Sequence, residues 1–335
     1  MSTELCTLNY HDYIQLDKIL NAQDLESVKA GKPAHDESLF IVIHQTYELW
    51  FKQLHTEIDS ALLLLKNPSL NDNSPELQTL VHRLDRCGTI LKVLVHQIDI
   101  METMTASDFL EFRNLLRPAS GFQSWQFKEL EAKLGLKYAH RHGQDYYLSQ
   151  LRPQQVELIR RAESSASLLE LLNGWLERMP FLDREAADFL PAYREAFLAS
   201  LSKEEEAAVA AFEKVFTEVS AERSLSPRAC RAALFIMLHR GYPLLHLPYR
   251  LLNALLEIDD QLSLWRYRHM NMVQRVIGIR MGTGGSTGRD YLKGAADKHY
   301  IFREIAELTS FLMEPGKVPM LSSEAQRLLG FQFSK

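Results

Sequence analysis

The sequence predicts an all-α protein, and three observations carry that prediction. Only 15 of the 335 residues are glycine and 12 are proline, below the combined usage of about 12% in average proteins, so chain breakers are scarce. Apolar residues recur three and four apart over long windows, the period of a helix face. No stretch alternates apolar and polar residues as a half-buried strand does, and no fixed-length repeat occurs. The composition, 46% hydrophobic and 24% charged, is that of a globular chain long enough to bury a core without disulfides.

The elements follow in chain order. A polar lead, Met1 to Asn9, precedes a weakly helical stretch around Tyr13 to Leu25, which Gly31-Lys32-Pro33 breaks. A strong helix runs from Asp36, with acidic residues in its first turn, to Lys66, where Asn67-Pro68 stops it. A second long helix starts at Pro75, a residue suited to a first turn, and reaches about Met104. A short helix over Ala106 to Leu116 leads into a loop, Arg117 to Phe122. Residues Ser149 to Leu201 read as several short helices broken near Asn173-Gly174, Pro180 and Pro191, and Lys203 to Glu222 as a charged, alanine-rich helix. About 172–222 is therefore expected to be a small accessory helical insertion within a single domain spanning 1–335. Ser226 as N-cap and Pro227 in the first turn open a helix to Arg240. A very long helix then covers Pro248 to Ile277, a glycine-rich loop covers Gly278 to Gly288, and a last helix is expected over His299 to Met313 before a proline- and serine-containing tail.

Charge and motifs exclude several functions. A net charge of −5 argues against a dominant polyanion-binding surface, so no nucleic-acid partner is expected. Cys6, Cys87 and Cys230 form no C-x-x-C pair, which leaves zinc ribbons, redox dithiols and covalent haem attachment unsupported. The amino-terminal residues lack a signal pattern and no run of 18 apolar residues exists, so a reducing, cytoplasmic home and no membrane span are expected. H-E-x-x-H, the Glu-x-x-His pairs of di-iron bundles, the P-loop and G-x-G-x-x-G are all missing. One G-x-S-x-G match, Gly284 to Gly288, follows a long helix rather than the strand that a nucleophile elbow needs.

Two helix faces stand out. Phe40, His44, Tyr47, Phe51 and His55 share one face of the first long helix; Trp265, His269, Met272, Val273 and Val276 share one face of the late one. Each reads as a core stripe with a satisfied histidine, or the two together as the walls of a haem pocket in which one neutral histidine ligates iron and the other overlooks its open side. Two further features are a loop dense in glycine, Gly282-Thr283-Gly284-Gly285-Ser286-Thr287-Gly288, and an arginine on a short aromatic helix, Phe112-Arg113, with Pro118 to Ser124 close behind. The loop suits close backbone approach to a ligand or a plain surface turn. The arginine suits a bidentate carboxylate clamp or an interhelix salt bridge.

These segments resemble one family over residues 9 to about 292. His35-Asp36-Glu37 with Phe40 through Gln53 is similar to the distal helix of the tryptophan 2,3-dioxygenases. So are Asp108-Phe109 to Phe112-Arg113, Pro118 to Ser124, Trp265-Arg266-Tyr267-Arg268-His269 with Met272, Val273 and Arg275, the loop Gly282 to Ser286, and the lead with Tyr10, Tyr13, Leu16 and Leu20-Asn21-Ala22-Gln23. The resemblance implies an all-α helical-bundle haem protein of the tryptophan/indoleamine 2,3-dioxygenase type. It implies haem b, one per subunit and active as Fe(II), and insertion of O2 across the indole C2–C3 bond of L-tryptophan to give N-formyl-L-kynurenine, the first step of the kynurenine route. Carried over by motif, His269 is the iron ligand, with Trp265, Ser120 and Gly121 at the haem. His44 is the catalytic residue facing the indole N–H. Arg113 pairs with the substrate carboxylate, Thr283 contacts its amino-acid end, and Phe40, Phe109 and Leu116 wall the indole. Tyr10, Tyr13 and Ile14 match a segment that enters a neighbouring subunit's site in a homotetramer. A related haem enzyme acting on a modified tryptophan, or a haem-based sensor, is the alternative; a sensor of O2 alone needs no carboxylate clamp such as Arg113.

Overall fold

The computed structural model describes residues 8–70, 74–142, 147–179, 186–202, 205, 207–278 and 289–330. Among them there is no strand: the fold is all-α, as expected. The amino-terminal stretch forms three short helices, α1 (Tyr10–Tyr13), α2 (Leu16–Leu20) and α3 (Glu26–Lys29). The long helices follow as α4 (His35–Lys66) and α5 (Pro75–Met101), then α6 (Ala106–Phe112), which runs on as a 3-10 turn over Arg113–Leu116. Next come α7 (Trp125–Leu134), α8 (Pro153–Ser164), α9 (Leu168–Glu177), α10 (Ala186–Ser200), α11 (Ala207–Phe216) and α12 (Pro227–Leu238). The chain closes with α13 (His246–Ile277), α14 (Arg289–Lys298), α15 (Arg303–Glu307) and α16 (Ser323–Leu329). No helix among the described residues is long and apolar enough to cross a membrane.

The frame is α5 packed between α4 and α13. Its buried stripe, Leu77, Leu80, Leu84, Leu91, Leu94 and Ile98, keeps the three- and four-residue spacing that one continuous face requires. Each such leucine contributes roughly 1.5–3 kcal/mol through burial. At Gly88 a β-carbon would stand 3.1 Å from Glu257 Cγ, so a side chain there would crowd α13. Near the carboxyl-terminal end of α5, Arg268 of α13 bonds Asp99 at 2.6 Å and Glu102 at 3.2 Å, pinning α13 to the last turn of α5. The amino-terminal segment is tied to α4 by polar contacts. Buried Glu37 accepts the Glu26 and Ser27 N–H groups at 2.9 Å each, and Gln45 bonds Gln23 at 2.7 Å and the Ala22 carbonyl at 2.9 Å.

Several elements differ from the sequence expectation. The second long helix stops at Met101, because Thr105 caps the next one: its Oγ accepts the Asp108 N–H while Asp108 accepts the Thr105 N–H. Gly174 and Pro191 lie inside α9 and α10 rather than between helices. In α9 the burial of Leu168, Leu169, Leu172, Trp175 and Leu176 outweighs the cost of about 1 kcal/mol for one helical glycine. Among the described residues of the alanine-rich segment, the α-helix is Ala207–Phe216, and the chain after it to Glu222 is not helical. Helices α7, α14 and α16 were not anticipated, and the helix expected over His299 to Met313 is reduced to α15 with a 3-10 turn, Leu308–Phe311. Ser226 and Pro227 open α12 as read, with the Ser226 hydroxyl accepting the Ala229 N–H at 3.2 Å. The glycine-rich loop from 279 to 288, with Thr283, lies outside the described residues.

Candidate active site

Beside the main core lies a second, smaller apolar cluster. It unites Ile43 of α4, Met101 at the end of α5 and Met104 just after it, Phe109 and Phe112 of α6, and partly buried Phe40, Tyr47, Leu116, Met272, Val276 and Ile277. Both histidine stripes border it. On α4 the Phe40 ring lies 4.2 Å from the His44 ring, 5.7 Å from Phe109 and 5.6 Å from Phe112. Phe109 and Phe112 meet edge to face at 5.4 Å, the arrangement that aromatic quadrupoles favour. The sequence marks Phe112 only as the neighbour of Arg113; with no polar signal of its own, it is not singled out there as a wall of this cluster.

The protonation of His44 follows from its contacts. Its Nδ1 stands 2.7 Å from the Phe40 carbonyl, and a carbonyl can only accept, so Nδ1 carries the proton. Burial, the largest influence, lowers its pKa from the ordinary 6.5, against smaller upward pulls from that carbonyl and from Glu48. The ring is therefore neutral near pH 7, and its Nε2 offers a lone pair. This is an acceptor that a hydrogen-bond donor on an otherwise apolar ligand would satisfy.

His269 is complementary. Burial first, then His44, push its pKa down to about 4. Its Nδ1 is buried without a hydrogen-bond partner. Its ring lies flat on Trp265, 5.0 Å away at 5°. Trp265 is held from its other sides by Tyr47 at 6.0 Å and by Phe127 of α7 at 5.0 Å. A neutral, rigidly stacked imidazole retains a lone pair to give to a metal. By contrast His55, the other histidine of the α4 stripe, is a structural residue: its two nitrogens meet the Gln126 carbonyl at 2.9 Å and Lys133 at 3.2 Å.

The remaining sequence candidates fall in different places. Arg113 is 5% exposed and directly follows Phe112 at the edge of the aromatic cluster. Leu116 packs on the same cluster. Ser120 caps the 3-10 turn Gly121–Gln123, and a β-carbon at Gly121 would meet nothing within 4 Å, so the fold itself does not require glycine there. Tyr10 and Tyr13 are 73% and 70% exposed, and Ile14 ends their helix. None of the ring contacts around His44 involves either tyrosine.

A family model described as tryptophan 2,3-dioxygenase matches residues 2–219 and 199–312. Among similar proteins, the tryptophan 2,3-dioxygenase of Bdellovibrio bacteriovorus is 40% identical over 97% of this chain and 99% of its own length. That of Alteromonas mediterranea is 41% identical over 96% of this chain and 97% of its own, and that of Rattus norvegicus 37% identical over 96% and 86%. The chain belongs to the tryptophan 2,3-dioxygenase family.

Members of the tryptophan 2,3-dioxygenase family are haem enzymes. The residues present fit such a group. A neutral imidazole with a buried, unpartnered nitrogen borders an apolar cluster large enough to involve four segments of chain. A second neutral imidazole faces the same cluster, and a glycine whose side-chain space is empty stands nearby in sequence to Arg113. Apolar walls and a single strong nitrogen donor are what a non-covalently held haem asks of its protein.

Proposed function

We propose that this chain is a haem-dependent L-tryptophan 2,3-dioxygenase that converts L-tryptophan and O2 to N-formyl-L-kynurenine. Two neutral histidines from α4 and α13, set against one apolar cluster, are the observation that carries the reading. His269 would hold haem b, one per subunit, with Trp265 fixing the plane of its ring and Ser120 and Gly121 beside the haem edge. The haem, when bound, supplies the ferrous iron that activates O2.

The protein's part is orientation and exclusion of water. Phe40, Phe109, Phe112 and Leu116 receive the indole, whose faces need apolar and aromatic walls. His44 Nε2 accepts the indole N–H. That group is too weakly acidic to be deprotonated by a depressed-pKa imidazole, so His44 works as a hydrogen-bond acceptor that orients the ring. Arg113 takes the α-carboxylate through paired N–H donors, and Thr283 contacts the amino-acid end. Buried as Arg113 is, a guanidinium holds its direction better than an exposed one, which favours reacting geometry over mere capture.

The same reading extends to organisation. The chain is one catalytic domain, 1–335, with about 172–222 as an accessory helical insertion. Within that stretch Phe197 stacks on Phe212 at 5.3 Å and Phe212 meets Phe216 at a tilt at 4.6 Å, and all three rings pack on Phe311 of the main core. Exposed Tyr10 and Tyr13 suit an amino-terminal segment that completes a neighbouring subunit's site in a homotetramer. Free, buried Cys87 and Cys230 suit a reducing, cytoplasmic setting. The decisive test is turnover of haem-loaded, reduced protein with L-tryptophan under ¹⁸O2. The expected product has gained two labelled oxygen atoms; a product with one, or a tryptophan-responsive haem spectrum without product, overturns the reading.

A further inference from the structure

Helix α7 carries a buried charge cluster that the proposed chemistry does not use. Glu131, 3% exposed, accepts Arg141 Nη1 at 2.6 Å on one oxygen and Arg266 Nη2 at 2.7 Å on the other. Each guanidinium spends a second N–H on a backbone carbonyl, Arg141 on Lys128 at 3.0 Å and Arg266 on His299 at 2.8 Å. The His299 ring accepts the His142 N–H at Nε2, 3.0 Å away, so Nδ1 bears its proton and faces Glu131 at 3.8 Å. The cluster thus joins α7, the chain after α7, α13 and the residue following α14. Burying several charges is a poor way to add stability, since apolar replacements of such groups are often neutral or better. What these four charge-assisted bonds do secure, although the Nε atoms of Arg141 and Arg266 are left without a hydrogen-bond partner, is one relative placement of the segments they join.

That placement concerns His269. Phe127 and Glu131 lie one helical turn apart on α7, and they grip consecutive residues of α13: Phe127 packs on Trp265 at 5.0 Å and Glu131 bonds Arg266. Trp265 in turn lies flat under the His269 imidazole, and Arg266 precedes His269 by three residues, close to one turn. The opposite side of α7 is tied to α4, the helix of His44, through Gln126 to Glu48 at 2.7 Å, His55 to the Gln126 carbonyl and Lys133 to Asp59 at 2.7 Å. Helix α7 is therefore a spacer between the two histidine helices, and a roll of α13 about its axis would have to break the Glu131–Arg266 bond.

We propose that Glu131 is a positioning residue for His269, acting through Arg266 to hold α13 at the rotation that aims the imidazole into the pocket. The inference rests on the haem-dioxygenase reading above. The experiment compares the wild-type holoenzyme with Glu131→Gln, which keeps the shape but not the charge, and Arg266→Met, which leaves Glu131 paired with Arg141; melting curves first establish that each variant is folded. Resonance Raman spectra of the ferrous forms read the iron–histidine stretch, and steady-state kinetics separate kcat from KM. The expected result is a displaced or broadened iron–histidine band in both variants. It is accompanied by a kcat loss between about tenfold and a hundredfold, as a misplacement of about 1 Å produces, and a KM for L-tryptophan within about twofold of wild type. An unchanged band with unchanged kcat in folded Arg266→Met overturns the positioning role, as does a loss confined to KM. A wild-type chain that binds haem without any iron–histidine band refutes the ligand assignment itself, an outcome visible in the control alone.

Discussion

A single hydrogen bond fixes what His44 can do. Because Nδ1 is committed to the Phe40 carbonyl at 2.7 Å, the nitrogen left over can accept but not donate, and the ring stays neutral through the physiological range. A substrate with one N–H on a flat apolar body matches it; a methyl group on that nitrogen does not. The wild-type enzyme should therefore favour L-tryptophan over 1-methyl-L-tryptophan in kcat/KM. His44→Ala should lower turnover of L-tryptophan and erase most of that preference, by about three- to tenfold if one neutral hydrogen bond is lost. Competition kinetics with the two substrates measure it, and a preference that survives the substitution would show that the methyl group is rejected by Phe40 or Phe109 rather than by the lost bond. His269 differs from His44 in having no such commitment at Nδ1; two histidines in similar apolar stripes are separated in role by one backbone carbonyl.

At the level of elements, the helix that delivers Arg113 is only seven residues long and depends on its cap. Thr105 and Asp108 exchange backbone N–H bonds at 3.2 and 2.9 Å, and the carboxyl of Asp108 is held below its ordinary pKa by the Thr105 hydroxyl first and its N–H second. Thr105→Ala should lower the Tm by only about 2 °C, since one cap is a small share of a chain this size. It should raise the KM for L-tryptophan several-fold, because α6 carries Phe109 and Phe112 and leads directly into the 3-10 turn that Arg113 opens. Paired melting curves and kinetics would decide, and an unchanged KM would mean that packing of Phe109 and Phe112 alone sets the helix. Helices α4 and α13 were legible in the sequence because long apolar stripes were bracketed by plain stops, Asn67-Pro68 and Gly278, whose φ of +65° suits glycine. Helix α7 was not legible. Its buried face includes Lys128 and Glu131, residues that read as solvent-facing until partners 10 and 135 positions away are known. The same distance problem hid Phe112 among the pocket walls, while His44, Arg113 and His269 could be singled out because polar groups on aromatic faces are conspicuous.

Across the whole molecule, several histidines are buried in neutral form, and this gives the stability of the haem-free chain a direction in pH. His239, 8% exposed at the end of α12, is enclosed by Phe235 at 4.6 Å, Phe189 at 5.7 Å and Tyr242 at 6.2 Å. Its Nε2 has no partner, and burial pushes its pKa down from 6.5 to about 4. Between those values the unfolded chain binds a proton that the folded chain refuses. Stability therefore falls as the pH drops from about 6.5 towards about 4, and His239 adds nothing further below that. His44, His55 and His269 are shifted the same way, so the loss is shared. Replacing His239 by Phe removes one share and leaves an aromatic ring in an aromatic enclosure. The urea midpoint of the haem-free protein should drop between pH 7 and pH 5 in both proteins, and by less in His239→Phe. Each protein is compared with itself at two pH values, so any packing cost of the larger ring cancels. An equal drop in the two would mean that His239 is already protonated in the folded state, with water reaching its ring between Phe189 and Tyr242.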